Sequence, residues 1–393
     1  MERARIVLKS GKDQSVLRKH PWLFSGAIKK IYGEALEGDV VDVFDNKDKY
    51  LGRGHYQPGS IAVRLLTFED QEIDADFYSL RIFEAYEYRK RAGILSLEST
   101  NTFRLIHAEG DNLPGLIVDV YGSVAVMQMH SIGMYYEREL IADILMSLPD
   151  QRIKAVFDKS ESTLPYKAKA EAKNGFVRGS QEDNLVTEYG YRFHVDWLEG
   201  QKTGFFIDQR ENRKLLESFS ENRRILNLFS YTGGFSVYGM SNASMVHTVD
   251  VSDRAVKMAE NNVKLNFKDQ EKHRGIVSDA FKFMDNTSDN YDLIVLDPPA
   301  FAKHHNVLHN ALQGYKKLNR KAIEIIEPGG IIFTFSCSQV VSRENFRKSV
   351  FTAAAGTGRK VRIIKQLSQP ADHPVNIFHP ESEYLKGLIL YIE

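Results

Sequence analysis

Cysteine is almost absent from this sequence, since Cys337 is the single one among 393 residues. One cysteine excludes an internal disulfide and any zinc site built from several cysteines. Long hydrophobic runs are absent as well, because no apolar stretch approaches the roughly 18 residues that a membrane-spanning helix needs. The charged start MERARIVLKSGKDQ contains no apolar core of the kind found in secretory signals. We therefore expect a soluble, cytoplasmic protein with no membrane partner.

An excess of charge of one sign is also missing, because 52 Lys and Arg residues balance 52 Asp and Glu residues. Affinity for nucleic acid must then come from local patches. One basic patch lies near the N-terminus, and its members are Arg3, Arg5, Lys9, Lys12, Arg18, Lys19, Lys29 and Lys30. Charge alone is compatible with a solvated face as well as with contacts to phosphate groups.

The patterning along the chain predicts three domains, which is within the usual range of roughly 100 to 200 residues per domain. Residues 1–72 consist of short strand patterns separated by turns, which is typical of a small β-barrel or sandwich. Residues 73–190 mix strands and helices and indicate an α+β unit. Residues 191–393 alternate strands with amphipathic helices, which predicts an α/β fold with a mostly parallel, doubly wound sheet.

In a doubly wound sheet, ligands bind at the carboxyl ends of the strands. The first strand of the third domain is followed by a turn at Thr232, Gly233 and Gly234, where backbone amides can approach a ligand closely. Asp250 ends the second strand about 20 residues later, where a carboxylate can bind both hydroxyls of a ribose. Because Ser252 or Asp253 is a better cap for the helix that follows, we favour ribose binding by Asp250 and an adenosine-containing cofactor.

Two further carboxylates follow strands. Asp279 comes after the third strand, where it can accept a hydrogen bond from an adenine amino group or cap the next helix. Asp297 ends the fourth strand in LIVLDPPAFAK, and the two prolines after it fix a stiff, extended turn. Such a turn presents Asp297 to the cleft and can hold a flat base. A strand terminator would explain the prolines, but not the aspartate that ends a buried strand.

Cys337 ends the fifth strand, between Ser336 and Ser338. The expected strand order brings the first, fourth and fifth strands side by side, so the glycine turn, Asp297 and Cys337 should converge on one cleft. A thiolate that adds to carbon 6 of a pyrimidine enables carbon 5 to accept a methyl group, and this chemistry needs no metal. The alternative is that Cys337 is a small buried hydrophobic residue, although such a residue would more often lie in the middle of a strand.

Taken together, the motifs ILNLFSYTGGFSV, VDVS, SDAF and DPPAFAK resemble those of class I S-adenosyl-L-methionine-dependent methyltransferases. More closely, the chain resembles the bacterial large-subunit (23S) rRNA cytosine-5 methyltransferases with an N-terminal PUA domain. RKHPWLFSGAI and GRGHYQPGSIAVRLL are similar to the PUA part, RLIHAEGDNLPGLIVDVYG to the central α+β part, and GQKTGFFIDQRENR and DHPVNIFHPESEYLKGLIL to the flanks of the Rossmann-like catalytic domain. The resemblance covers nearly the whole chain.

The resemblance implies methylation of carbon 5 of a cytosine in large-subunit ribosomal RNA, with Cys337 as the nucleophile and Asp297 hydrogen-bonded to the base. It implies a set of residues that hold S-adenosyl-L-methionine, namely Phe229, Ser230, Tyr231, Thr232, Gly233, Asp250 and Asp279. On the substrate side we expect Pro298, Pro299, Phe301 and Lys303. Lys303 and the downstream segment YKKLNRK are expected to meet RNA phosphates, with a solvated helix as the alternative.

The sequence departs from the family pattern at three positions. The broader class has glycines where this chain has Phe229 and Tyr231. RNA cytosine-5 enzymes with two cysteines place the second one where Ala300 stands here, so Cys337 must leave the product without help from another thiol. For the base that removes the proton from carbon 5, His373 and a water molecule are both open.

Other functions remain as alternatives. N-methylation of a guanine or adenine in RNA also uses an Asn/Asp-Pro-Pro turn and needs no thiol. A non-catalytic RNA-binding factor for ribosome assembly would have lost the cofactor motifs, which are complete here. His304, His305 and His309 lack a carboxylate pattern, so we expect no metal. A homodimer is possible.

Overall fold

The computed structural model of the chain describes residues 3–97, 99–165, 172–181, 183–302 and 304–393. The chain divides into two units. The first comprises Met1–Val186, Val195–Ile207 and Ala371–Ser382, and the second comprises Thr187–His194, Asp208–Pro370 and Glu383–Glu393. Within the described ranges, no helix has the length and apolar character needed to cross a membrane. The three domains with boundaries at residues 72 and 190 stay a prediction.

Short strands build the N-terminal part of the first unit. Its elements are β1 (Arg5–Leu8), α1 (Gln14–Leu17), β2 (Trp22–Phe24), β3 (Ile28–Tyr32), β4 (Val40–Phe44), β5 (Tyr50–Tyr56) and β6 (Ile61–Thr67). The six strands form one sheet in the order β2-β6-β5-β4-β1-β3. Strands β5 and β6 lie close together at Gly54. A Cβ atom on this residue would stand 2.0 Å from the carbonyl oxygen of Arg64. A side chain at Gly54 would therefore force the two strands apart.

The rest of the first unit combines helices with a second sheet. Its elements are α2 (Ala75–Arg91), β7 (Thr102–His107), β8 (Leu116–Tyr121), β9 (Val124–Met129), α3 (Ile132–Tyr136), α4 (Arg138–Met146), β10 (Ala155–Asp158) and β11 (Gly175–Arg178). The sheet order is β11-β10-β9-β8-β7. The pattern MYYERELIADILMSL predicts one helix, whereas the structure has two, because Glu137 between α3 and α4 has a ψ of 5°. Two short strands follow, β12 (Leu185–Glu188) and β13 (Tyr191–His194).

Alternating strands and helices form the second unit. Its strands are β14 (Arg224–Leu228), β15 (Met245–Asp250), β16 (His273–Val277), β17 (Tyr291–Leu296), β18 (Ile326–Ser336), β19 (Val361–Ser368) and β20 (Lys386–Ile392). Its helices are α5 (Arg210–Glu217), α6 (Gly234–Met240), α7 (Asp253–Asn266), α8 (Ala280–Asn286), α9 (Leu308–Ile325) and α10 (Arg343–Ala355). The strands form one sheet in the order β16-β15-β14-β17-β18-β20-β19.

Strands β16, β15, β14, β17 and β18 are parallel to one another, and β20 is antiparallel to both β18 and β19. The register pairs Leu228 with Leu296 and Leu296 with Thr334. Strands β14, β17 and β18 therefore end at nearly the same level, and the turns that follow them start side by side. The predicted α/β architecture and the adjacency of the first, fourth and fifth strands are confirmed.

Candidate active site

The turn after β14 has an unusual backbone. Phe229, Tyr231 and Gly233 all have positive φ angles, of 56°, 46° and 79°. Left-handed conformations at residues other than glycine cost on the order of 1–3 kcal/mol each, and they persist where the surroundings enforce them, often at functional sites. A left-handed backbone at these two positions explains why the broader class has glycines there. This chain keeps the same conformation with the aromatic residues Phe229 and Tyr231.

Hydrogen bonds from neighbouring elements hold this turn in place. The carboxylate of Asp250, at the end of β15, accepts from the backbone N–H of Tyr231 at 2.9 Å. The Ser230 N–H donates to the Val249 carbonyl at 3.1 Å. From α7, the Asn262 side chain donates to the Thr232 carbonyl at 3.0 Å. The strained backbone is therefore fixed from both β15 and α7.

Close packing explains the glycine at the end of the turn. A Cβ atom on Gly233 would lie 2.6 Å from the Cβ of Ala259 on α7, a separation that real Cβ atoms do not show. Gly233 also has a positive φ of 79°. Both the contact and the dihedral angle require glycine, so the turn lies directly against α7.

Asp250 does not cap the helix that follows it. Its second carboxylate oxygen accepts from the Ser252 N–H at 3.0 Å, and the Ser252 side chain caps α7 by accepting from Ala255. The carboxylate of Asp250 is only partly buried, which leaves lone pairs for further donors. The side chain of Val251, directly after it, is 68% exposed. Ribose binding by Asp250 stays a prediction.

Two buried hydroxyl groups in the turn suit a polar ligand. Ser230 Oγ and Thr232 Oγ1 have no hydrogen-bond partner among the described residues. Buried polar groups in proteins are nearly always hydrogen-bonded, so such orphans point to a missing partner. Together with the Asp250 carboxylate and the close backbone at Gly233, they fit a cofactor that carries hydroxyl, amino and carboxylate groups. The residues present therefore fit S-adenosylmethionine.

Asp279 stands at the N-terminus of α8. Its side chain accepts from the Lys282 N–H at 3.0 Å, and the residue is exposed. The structure thus gives Asp279 the capping role that the sequence left open. A carboxylate in this role keeps a second oxygen for another donor, and the contact with adenine stays a prediction.

The carboxylate of Asp297 follows β17 and is held by a side chain from the start of α5. Gln209 Nε2 donates to Asp297 at 3.0 Å, and Asn212 donates in turn to Gln209 at 2.6 Å. The pKa of Asp297 is raised to about 7, chiefly by burial and also by the nearby carboxylate of Asp208, while the hydrogen bond from Gln209 and the charge of Arg213 oppose the shift. Asp297 is therefore present in both protonation states near neutral pH. The sequence contained Asp208 and Gln209 in GQKTGFFIDQRENR but gave no sign of their distance to Asp297.

Cys337 lies on the turn beside Asp297. Its sulfur is 3.8 Å from the carbonyl oxygen of Pro298, and the residue is only partly buried. The two flanking serines are buried: Ser336 donates to the Tyr315 hydroxyl at 2.9 Å, and Ser338 donates to the Ala302 carbonyl at 2.6 Å. The serines thus anchor this end of β18 to α9 and to the turn after β17, and Cys337 between them stays partly exposed.

The remaining residues of the Asp-Pro-Pro turn form one wall of this region. Pro298 is buried and Pro299 is exposed. The ring of Phe301 packs on Tyr315 with centroids 4.7 Å apart. Lys303, predicted to contact RNA, lies outside the described residues.

His373, one of the two options for the base, is buried, and its Nδ1 lies 3.0 Å from a carboxylate oxygen of Asp372.

Comparison with known proteins identifies the families and relatives that the chain matches in sequence. Residues 161–378 match a family model described as S-adenosylmethionine-dependent methyltransferase, and residues 6–68 match a PUA-like domain. Proteins named "Ribosomal RNA large subunit methyltransferase I" from Escherichia coli and Shigella boydii are 39% identical to the chain over 391 residues, which is 98% of either sequence.

Solved structures also share the fold. A candidate S-adenosylmethionine-dependent methyltransferase from Streptococcus mutans superposes with a TM-score of 0.84 and 22% identity, over 98% of this chain and 99% of that one. A structure of a candidate methyltransferase in complex with S-adenosylhomocysteine gives a TM-score of 0.85 and 23% identity, with the same coverage. At these identities, the likeness establishes the fold.

Proposed function

Since this chain belongs to the S-adenosylmethionine-dependent methyltransferases, we propose that it methylates carbon 5 of a cytosine in large-subunit ribosomal RNA through a covalent bond to Cys337. The RNA substrate is supported by the names of relatives that are 39% identical over 98% of the chain. The PUA-like match at residues 6–68 is a second support. The observation that carries the cytosine-5 chemistry is the thiol of Cys337 on the turn next to Asp297.

In this proposal, the turn after β14 and Asp250 hold the cofactor. The backbone from Phe229 to Gly233 and the hydroxyls of Ser230 and Thr232 surround its polar groups, and Asp250 binds the ribose hydroxyls. Asp279 accepts from the adenine amino group with the oxygen that does not cap α8. When bound, S-adenosylmethionine would supply a methyl group from its positively charged sulfur, and S-adenosylhomocysteine, which keeps the electron pair of the broken carbon–sulfur bond, would be the leaving group.

Cys337 prepares the base for methylation. Its thiolate forms a bond to carbon 6 of the cytosine, and the electron pair of the 5,6 double bond moves into the ring, so that carbon 5 becomes nucleophilic. Carbon 5 then takes the methyl group, and a base removes the proton from carbon 5. The electron pair of that C–H bond restores the double bond and expels the thiolate of Cys337.

Asp297 stabilises the ring while it carries the added electrons. With its pKa raised to about 7, the protonated form is available to donate to the ring nitrogen on which negative charge develops. The hydrogen bond from Gln209 fixes the orientation of the carboxyl group. Pro298, Pro299 and Phe301 line the side of the cleft where a cytosine flipped out of its stack would lie.

Nucleoside analysis of the product tests this function. We expect a large-subunit rRNA transcript incubated with the protein and labelled S-adenosylmethionine to yield labelled 5-methylcytidine after digestion. A labelled N-methylguanosine or N-methyladenosine would overturn the proposal in favour of purine methylation. Cofactor binding without transfer to ribosomal RNA, free or in immature subunits, would instead support the non-catalytic alternative.

A further inference from the structure

A buried lysine stands beside the nucleophile. Lys386 is the first residue of β20, and the antiparallel register pairs it with Ser336 on β18. Its Nζ atom donates to the carbonyl oxygen of Ser338 at 2.7 Å. The residue is only 3% exposed. The ammonium group is therefore held against the short segment from Ser336 to Ser338, with Cys337 at its centre.

The charged groups around Lys386, taken together with its own ammonium group, carry more positive than negative charge. The charged or ionisable groups that act electrostatically on Lys386 are Glu383, Cys337 and Arg343. Glu383 already forms an ion pair with Arg343, so its negative charge is shared between two cations. Burial lowers the pKa of Lys386 to about 8, whereas Glu383 and Cys337 oppose the shift. Buried charges in proteins are normally paired, and a thiolate at Cys337 would supply the missing negative charge.

We propose that Lys386 holds Cys337 in its thiolate form and is thereby a positioning residue for the nucleophile. The thiol loses its proton to solvent, and the ammonium group keeps its three protons and stabilises the sulfur anion. Thiols next to a lysine are known to be more acidic than free cysteine. Two other titratable groups bear on the thiol. Tyr315 on α9 interacts electrostatically with Cys337. The sulfur also lies 3.8 Å from the carbonyl oxygen of Pro298, the residue after Asp297, and an ionised Asp297 opposes the thiolate.

The position of Lys386 next to the segment that carries Cys337 also affects release of the product. Cys337 is the single cysteine of the chain, so no second thiol can help it to leave carbon 6. A thiolate of lower pKa is a better leaving group, and Lys386 provides that stabilisation when the sulfur regains its charge. This part of the inference rests on the proposed function, whereas the ionisation of Cys337 does not.

The pH dependence of alkylation tests the inference without RNA or cofactor. Because Cys337 is the single cysteine, every thiol that reacts with iodoacetamide in the full-length protein is this one. We expect the alkylation midpoint of the wild type to lie at least about one pH unit below the value of about 8.5 for a free thiol. A wild-type midpoint at or above that value would overturn the proposal with no variant needed.

Variants of Lys386 separate the effect of its charge on the thiol from the effect of its hydrogen bond. Lys386→Met should raise the midpoint by about one pH unit or more, and Lys386→Arg, which keeps the charge, should retain a midpoint near that of the wild type. Arg359→Met is the matched control, because Arg359 donates to the Ile326 carbonyl at 2.6 Å, at the opposite end of β18. Equal midpoints for the wild type and Lys386→Met would contradict the inference. Since the readout is thiol ionisation, its failure is distinct from a failure to form 5-methylcytidine.

Discussion

Cys337 and Asp297 occupy adjacent turns at the carboxyl edge of one sheet, and the Cys337 sulfur lies 3.8 Å from the carbonyl oxygen of Pro298, the residue after Asp297. The relationship follows from strand register, because Leu296 of β17 pairs with Thr334 of β18. It places the thiol of Cys337 near a carboxyl group whose pKa is raised to about 7. The predictions below follow from this arrangement and from the adjoining turn after β14, which we propose to hold the cofactor.

Replacement of the nucleophile should separate catalysis from cofactor binding. For Cys337→Ala, we expect methyl transfer to fall by at least about three orders of magnitude, because no other thiol exists in the chain. Affinity for S-adenosylhomocysteine, measured by calorimetry, should stay near that of the wild type, since Cys337 does not belong to the turn after β14. Substantial transfer by this variant would rule out the covalent mechanism.

Stability should depend on pH through Asp297. Its pKa rises from 3.8 to about 7 on folding, so the folded state binds more protons than the unfolded state between these values, and stability should fall as the pH rises from about 4 to about 7. Asp297→Asn removes this dependence, and we expect it to be more stable than the wild type at pH 8 by about 1–2 kcal/mol. Urea unfolding at pH 5 and pH 8 measures both proteins. If the free energy of unfolding changed equally with pH in the wild type and in Asp297→Asn, Asp297 would have an ordinary pKa.

A methyl group at Gly233 should damage the cofactor turn. In Gly233→Ala, the new Cβ would stand 2.6 Å from the Cβ of Ala259, and φ is +79°. We expect a stability loss of about 2–4 kcal/mol and at least about tenfold weaker binding of S-adenosylhomocysteine. Gly358→Ala is the matched control, because Gly358 has a φ of +72° but no atom near the position of a Cβ. If both variants bind the ligand equally well, the turn does not hold the cofactor.

The two roles of Asp279 can be tested separately. Asp279→Ser keeps a side-chain oxygen for the Lys282 N–H and removes the carboxylate, so stability should change by less than about 0.5 kcal/mol. Cofactor affinity should fall by about tenfold if the carboxylate also accepts from adenine. Calorimetry with S-adenosylhomocysteine gives the answer, with Asp279→Ala to measure the capping contribution. Unchanged affinity in the serine variant would leave Asp279 with the capping role alone.

Much of this site was predictable because its residues follow strands with strong local patterns. The family, the α/β fold and the use of S-adenosylmethionine are all confirmed, and the first, fourth and fifth strands are adjacent as expected. Asp250 and Asp297 lie at strand ends that hydrophobic runs and prolines mark in the sequence.

What the sequence did not reveal depends on contacts between distant segments. Gln209 and Asp297 are 88 residues apart, and Lys386 and Ser338 are 48 residues apart. The second pair meets because β20 inserts antiparallel between β18 and β19, a register that no local pattern encodes. The left-handed backbone at Phe229 and Tyr231 was also hidden, because aromatic residues do not signal positive φ.

The most direct measurement is covalent trapping on RNA that contains 5-fluorocytosine. Fluorine cannot leave carbon 5 as a proton does, so an adduct formed during methylation should persist and survive denaturation. With S-adenosylmethionine present, we predict a stable complex between the wild-type protein and a 5-fluorocytidine-substituted large-subunit rRNA transcript, and none with Cys337→Ala. Methyl transfer to this RNA with no trapped complex, or an equal yield of complex from Cys337→Ala, would contradict a covalent role for this sulfur.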